Sequence, residues 1–199
     1  MFPFVKMNET DMIPSIIEIF WIEKLRFTQY CFQKIASISR EDWERVPSPQ
    51  AKSVAWAVSQ MAAFDRNFAF YLPASMALST FFFRSKIEEL DIEKDLVEIR
   101  DKFTPPAFPL HFLDISIQRA ADLKIPESDR ERTRIMKEWR MTLVKIEEKL
   151  GQISEAEAYK KRYTSLTGIY TIPGAINHST EFCHRLWNEH IVPFIKSES

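Results

Sequence analysis

Ile16, Ile17, Phe20, Leu25, Phe27, Phe32 and Ile35 recur at helical intervals, and a stripe of that length commits the segment to a helix with one apolar face. Pro14 suits a first helical position, so the helix is expected over 14–38. Ser39 can cap a short turn through Trp43. Pro47-Ser48-Pro49 then forbids continuation, because each proline lacks a donor and pushes its predecessor out of the α region. A second long helix is expected over 50–72, with Val54, Val58, Met61, Phe64, Phe68 and Tyr71 on its apolar face and Pro73 closing it.

The segment 74–83 is apolar and aromatic, and 84–102 is a charged helical stretch with a stripe at Ile87, Leu90, Val97 and Ile99. Three prolines within Thr104-Pro105-Pro106-Ala107-Phe108-Pro109 mark the clearest break. A helix resumes over 111–123. Ser128-Asp129-Arg130-Glu131 matches a capping box that opens a helix ending at Gly151. Ser154-Glu155-Ala156-Glu157 is another, predicting a short helix through 163. No segment keeps the period of a strand. The expected architecture is a single all-α domain over 1–199, an up-and-down four-helix bundle with short additional helices, and bundles of this kind build their sites between facing helices.

Composition narrows the function. With 45% hydrophobic residues and only three glycines, the chain favours long helices over turn-rich β structure. A net charge of -1 argues against the basic stripe of a nucleic-acid binder. Cys31 and Cys183 both fall in apolar helical patterns, the usual setting of a buried thiol. The first residues lack the features of a signal peptide, and no run of 18 uncharged apolar residues appears. The expectation is a soluble cytoplasmic protein with no nucleic-acid or membrane partner.

The C-terminal stretch from Pro173 to Trp187 holds His178 and His184, half of the four histidines. On a helix, Thr180, Glu181 and His184 share one face, because residues three and four apart are neighbours. His184 titrates nearest neutrality and is the candidate acid/base. On the second helix Gln60 sits among apolar neighbours, and a buried amide must find partners. Asp65 and Arg66 can form an internal ion pair. Trp56, Tyr30, Asp65, Thr180 and His178 complete the candidate substrate-binding set. His111 and His190 read as structural or exposed.

The segment Ile38-Ser39-Arg40-Glu41-Asp42-Trp43-Glu44-Arg45-Val46-Pro47, followed by Ser53-Val54-Ala55-Trp56-Ala57-Val58-Ser59-Gln60, resembles the entry into helix two of the DinB/YfiT-like superfamily. Cys183-His184-Arg185 is similar to that family's closing element. The resemblance implies a metal, commonly zinc or nickel, held by one histidine of helix two and two more spaced by four near the C-terminus. Here those positions carry Gln60, Thr180 and His184. Amide and hydroxyl oxygens are poor zinc ligands, so a site without metal is expected, with zinc, nickel or iron at His184 as the weaker alternative. Glu181 and His184 have the Glu-x-x-His spacing of di-iron bundles, but a second motif is missing and Glu18 or Glu23 would have to supply carboxylates.

Three readings follow. The first is a metal-free enzyme in which His184, Glu181 and Gln60 carry out a proton-transfer, cyclisation, isomerisation or thiol-addition step on a small molecule. The second is a metal-dependent thiol S-transferase or hydrolase with unusual ligands. The third is a non-catalytic ligand-binding or dimerisation module, for which a homodimer is the natural partner.

Overall fold

The computed structural model describes residues 15–46, 52–82, 131–154, 157–158, 161–165 and 168–196. Six helices and one two-stranded sheet occupy them: α1 (Ser15–Ser37), α2 (Arg40–Glu44), α3 (Val54–Phe82), α4 (Arg132–Leu150), β1 (Arg162–Ser165), β2 (Gly168–Thr171), α5 (Ile172–His190) and α6 (Val192–Lys196). The helices expected over 84–102 and 111–123 lie outside the described residues.

The expected stripe of α1 is buried apart from Leu25, which packs against the core from its margin. Ser39 caps α2 as expected, its hydroxyl accepting from the Asp42 N–H, and Trp43 is buried. Helix α3 departs from expectation. It runs through Pro73 instead of ending there. A proline inside a helix lacks the N–H that would bond the carbonyl four residues back, which here is that of Ala69, and the Lys149 ammonium of α4 donates to that carbonyl instead. The buried stripe of α3 passes through Phe68 to Leu72, which is buried, so that Tyr71, expected inside, is 52% exposed.

Helix α4 begins after Glu131, which makes no side-chain cap bond; residues 128–130 of the capping box expected at 128–131 lie outside the described residues. The box at 154–157 does form: Glu157 Oε2 accepts from the Ser154 N–H at 3.0 Å and Ser154 Oγ accepts from the Glu157 N–H at 3.4 Å. The helix expected through 163 nevertheless gives way to β1, which pairs antiparallel with β2 in the register Arg162↔Thr171 to Ser165↔Gly168. Tyr163, Thr164, Ile169, Tyr170 and Thr171 are aromatic or β-branched, types that favour strands. Thr171 then caps α5, its hydroxyl accepting from the Gly174 N–H at 3.1 Å, with Pro173 in the first turn.

Contacts fix how the long helices run. Along α1, Lys24, Phe27 and Tyr30 meet Ser179, His184 and Trp187 of α5 in that order, so these two helices point the same way. Phe32 packs edge-on against Trp139, and Arg132 donates to the carbonyls of Ile35 and Ile38, so α4 runs opposite to α1. Those carbonyls sit at or just beyond the end of α1, where the helix leaves acceptors unfilled. Phe64 meets His178 while Trp56 meets His190, which sets α3 against α5. No described helix is long and apolar enough to cross a membrane.

Candidate functional site

At one level of the described core, four helices each send a polar group inward. Lys24 of α1, Asp65 of α3, Trp139 of α4, and Ser179 and Cys183 of α5 are all at most 2% exposed. Lys24 Nζ lies 3.0 Å from Asp65 Oδ1. It donates to Ser179 Oγ at 3.0 Å, Cys183 Sγ at 3.2 Å and the Ser179 carbonyl at 3.4 Å. Ser179 Oγ donates to Asp65 Oδ1 at 2.6 Å, and Trp139 Nε1 donates to Asp65 Oδ2 at 2.7 Å. The ammonium has three protons and here has four acceptors, and both carboxylate oxygens are engaged.

The electrostatics of this cluster limit its chemistry. Burial alone would pull the Lys24 ammonium down, but Asp65, with a smaller part from Cys183, outweighs it and holds the group above its ordinary 10.5. Burial pushes the Cys183 thiol up to about 12 against the pull of Lys24, and burial likewise raises Cys31. A lysine that keeps its proton is neither a base nor an amine nucleophile. A thiol that keeps its own is not a thiolate.

The residues singled out from the sequence are spread over different environments. Asp65 belongs to the cluster, paired with Lys24 and not with Arg66, which is exposed. Gln60 is buried at 2%. His184 is at the surface, its ring stacked on Phe27 with centroids 3.7 Å apart, and burial, opposed by Glu23, leaves it below its ordinary value. Glu181 is exposed and accepts from Asn177 Nδ2 at 3.0 Å. Thr180 is buried and donates to the Ile176 carbonyl of its own helix at 2.9 Å. Trp56 is buried edge-on to His190. Tyr30 is 45% exposed and meets the edge of Trp187.

His178 is buried in an aromatic layer. Tyr170 of β2 stacks on it at 5.3 Å with rings 6° from parallel, and Phe64 meets it edge-on at 5.6 Å. Burial, with a contribution from Lys24, lowers its pKa to about 4. An open hollow of about 470 Å³ lies between α1 and α4, bordered by Ala36, Arg132, Met136, Lys137, Arg140 and Met141. None of the predicted site residues borders it.

The positions that the resemblance assigns to a metal do not make a donor set. One is an amide, the second a hydroxyl turned onto its own helix, and the third an exposed imidazole. Among the described residues no three His, Cys, Asp or Glu side chains converge as metal ligands would. Lys24, Trp139 and Ser179 were not singled out from the sequence. The available signal was position: Lys24 falls on the apolar stripe of α1 and Asp65 on that of α3, where an ionisable side chain requires a buried partner. No protein-family model, no curated protein and no solved structure matches the chain.

Proposed function

We propose that this chain is a metal-independent, non-catalytic helical bundle of DinB-like arrangement that serves as a homodimerisation module. Four long helices packed on one core support the bundle, but not the alternating up-and-down order expected: α1 and α5 run one way, α3 and α4 the other, with Asp65 meeting Trp139 and Ala69 meeting Lys149 along the parallel pair. The saturated cluster supports the non-catalytic reading, since its charges and hydroxyl are turned on one another. A metal-free enzyme working through His184 has less support, because that imidazole is stacked at the surface while Gln60 is buried.

The observation that carries the dimer is the outer side of α3. From Asn67 to Phe82 the helix has no charged residue, yet Phe70 is 73%, Leu78 55% and Tyr71 52% exposed. Large exposed apolar surfaces mark association sites. A two-fold contact sets a surface against itself, and a face without charge does so without like-charge repulsion. Sedimentation over a concentration series tests this. Wild type is expected to be a dimer, and Phe70→Asp with Leu78→Asp to give a monomer of unchanged helix content. A wild-type monomer at every concentration, or a double variant that still dimerises, removes the proposal.

A further inference from the structure

We infer that the hollow between α1 and α4 binds a small organic anion, a carboxylate carried on a flat apolar body. The inference uses none of the residues of the dimer contact. The hollow measures about 470 Å³, within the range of roughly 300–1,000 Å³ common for small-molecule sites. Charge singles it out. In a chain whose charges sum to -1, the described residues that border it include Arg132, Lys137 and Arg140 and no acid. Glu138, the one acid of α4 between Arg132 and Arg140, is taken up by Arg134 at 3.0 Å and does not border the hollow.

Both guanidinium groups are positioned by groups at or beyond the end of α1. Arg132 donates to the carbonyls of Ile35 and Ile38 and lies 5.8 Å from the centre of the Trp43 ring. Arg140 lies over the Phe32 ring at 4.8 Å, a contact that uses the face of the cation and leaves the donors along its edge for a carboxylate. Positions 132 and 140 are about 12 Å apart along the helix, and Lys137 falls between them. Met136 and Met141 supply the apolar part of the wall, and their thioethers conform readily to a flat ring. Ala36 borders the hollow from α1 with a single methyl group, which leaves it open. A bare inorganic anion would meet the cations and leave the methionines uncovered, which is why the ligand carries an apolar body.

The test titrates the full-length chain with 2-naphthoate and with its neutral counterpart 2-naphthalenemethanol, following the carbon-13 methyl signals of the methionines. The expected result is saturable binding of naphthoate that moves the Met136 and Met141 methyls, with the alcohol at least tenfold weaker. Lys137→Gln/Arg140→Gln, which alters two exposed side chains, should weaken naphthoate at least tenfold at unchanged helix content. Met141→Glu, which sets a carboxylate on the wall, should do the same, and it decides the matter alone if the double variant loses helix content. Absence of saturable binding, equal affinity for the alcohol, unmoved Met136 and Met141 methyls, or full affinity in Met141→Glu would each overturn the inference.

Discussion

Lys24→Met is expected to lower the free energy of unfolding by about 3–5 kcal/mol, the usual penalty for removing one partner of a buried ion pair. The reason is the charge left behind. Asp65 is 1% exposed and among the described residues would keep Ser179 and Trp139 as donors, too few to replace a full positive charge at 3.0 Å. Asp65→Leu should be as damaging from the other side, stranding an ammonium with a hydroxyl, a thiol and a carbonyl. The double variant Lys24→Met/Asp65→Leu is expected to recover most of the loss, because a pair replaced by hydrocarbon of similar volume has no orphaned charge. Urea titrations at one fixed protein concentration read all four chains, since dimerisation would otherwise enter the comparison. Single variants within about 0.5 kcal/mol of wild type would show that the cluster does not organise the core.

Acid is expected to destabilise the fold between pH 6.5 and about pH 4, and His178 should account for most of that limb. Its folded pKa of about 4 lies below the ordinary 6.5. Over this window the unfolded chain therefore binds the proton and the folded chain does not, so stability rises with pH. The contribution is complete above 6.5 and is lost as pH falls toward 4, amounting to about 3 kcal/mol at 1.36 kcal/mol per unit. Tyr170 and Phe64 make a layer suited to a neutral ring, and the nearby positive charge of Lys24 adds to the penalty for protonation. His178→Phe should flatten the limb, whereas His184→Ala, which removes an exposed imidazole that burial also lowers, should change it less. An unchanged acid limb in His178→Phe would assign it to carboxylates instead.

The helices were legible because their apolar stripes were long. On α1 nearly every stripe residue is buried, and on α3 the expected positions Val54, Val58, Met61 and Phe68 are too. Misreadings came where a distant group replaced a local rule. Pro73 ends a helix in isolation, but Lys149 reaches across from α4 to the carbonyl that the proline leaves without a donor. The capping box at 154–157 was read correctly while the helix after it was not, since pairing with β2 offers the backbone of Arg162–Ser165 its bonds elsewhere.

The site was less legible for a related reason. Histidines drew the sequence reading to His184, whereas the inward side of α5 at that level carries Ser179 and Cys183. Continuing the stripe 54, 58, 61 by alternate steps of four and three reaches 65, 68 and 72, and every one of these positions on α3 is buried. Asp65 thus stands in a core register, as Lys24 does on α1. Two opposite charges on the inner stripes of separate helices were the sequence's only notice of the pair, and which helices face each other is a tertiary fact.

Nitrogen-15 NMR of the Lys24 side chain during a pH titration addresses the central claim directly, because the Nζ shift separates ammonium from free amine. The shift is expected to remain that of an ammonium from neutral pH to beyond 10.5, the ordinary lysine value above which the structure places it. A free amine anywhere near neutral pH would contradict the account, since Lys24 could then act as a base or nucleophile and the closed core would be a reactive one.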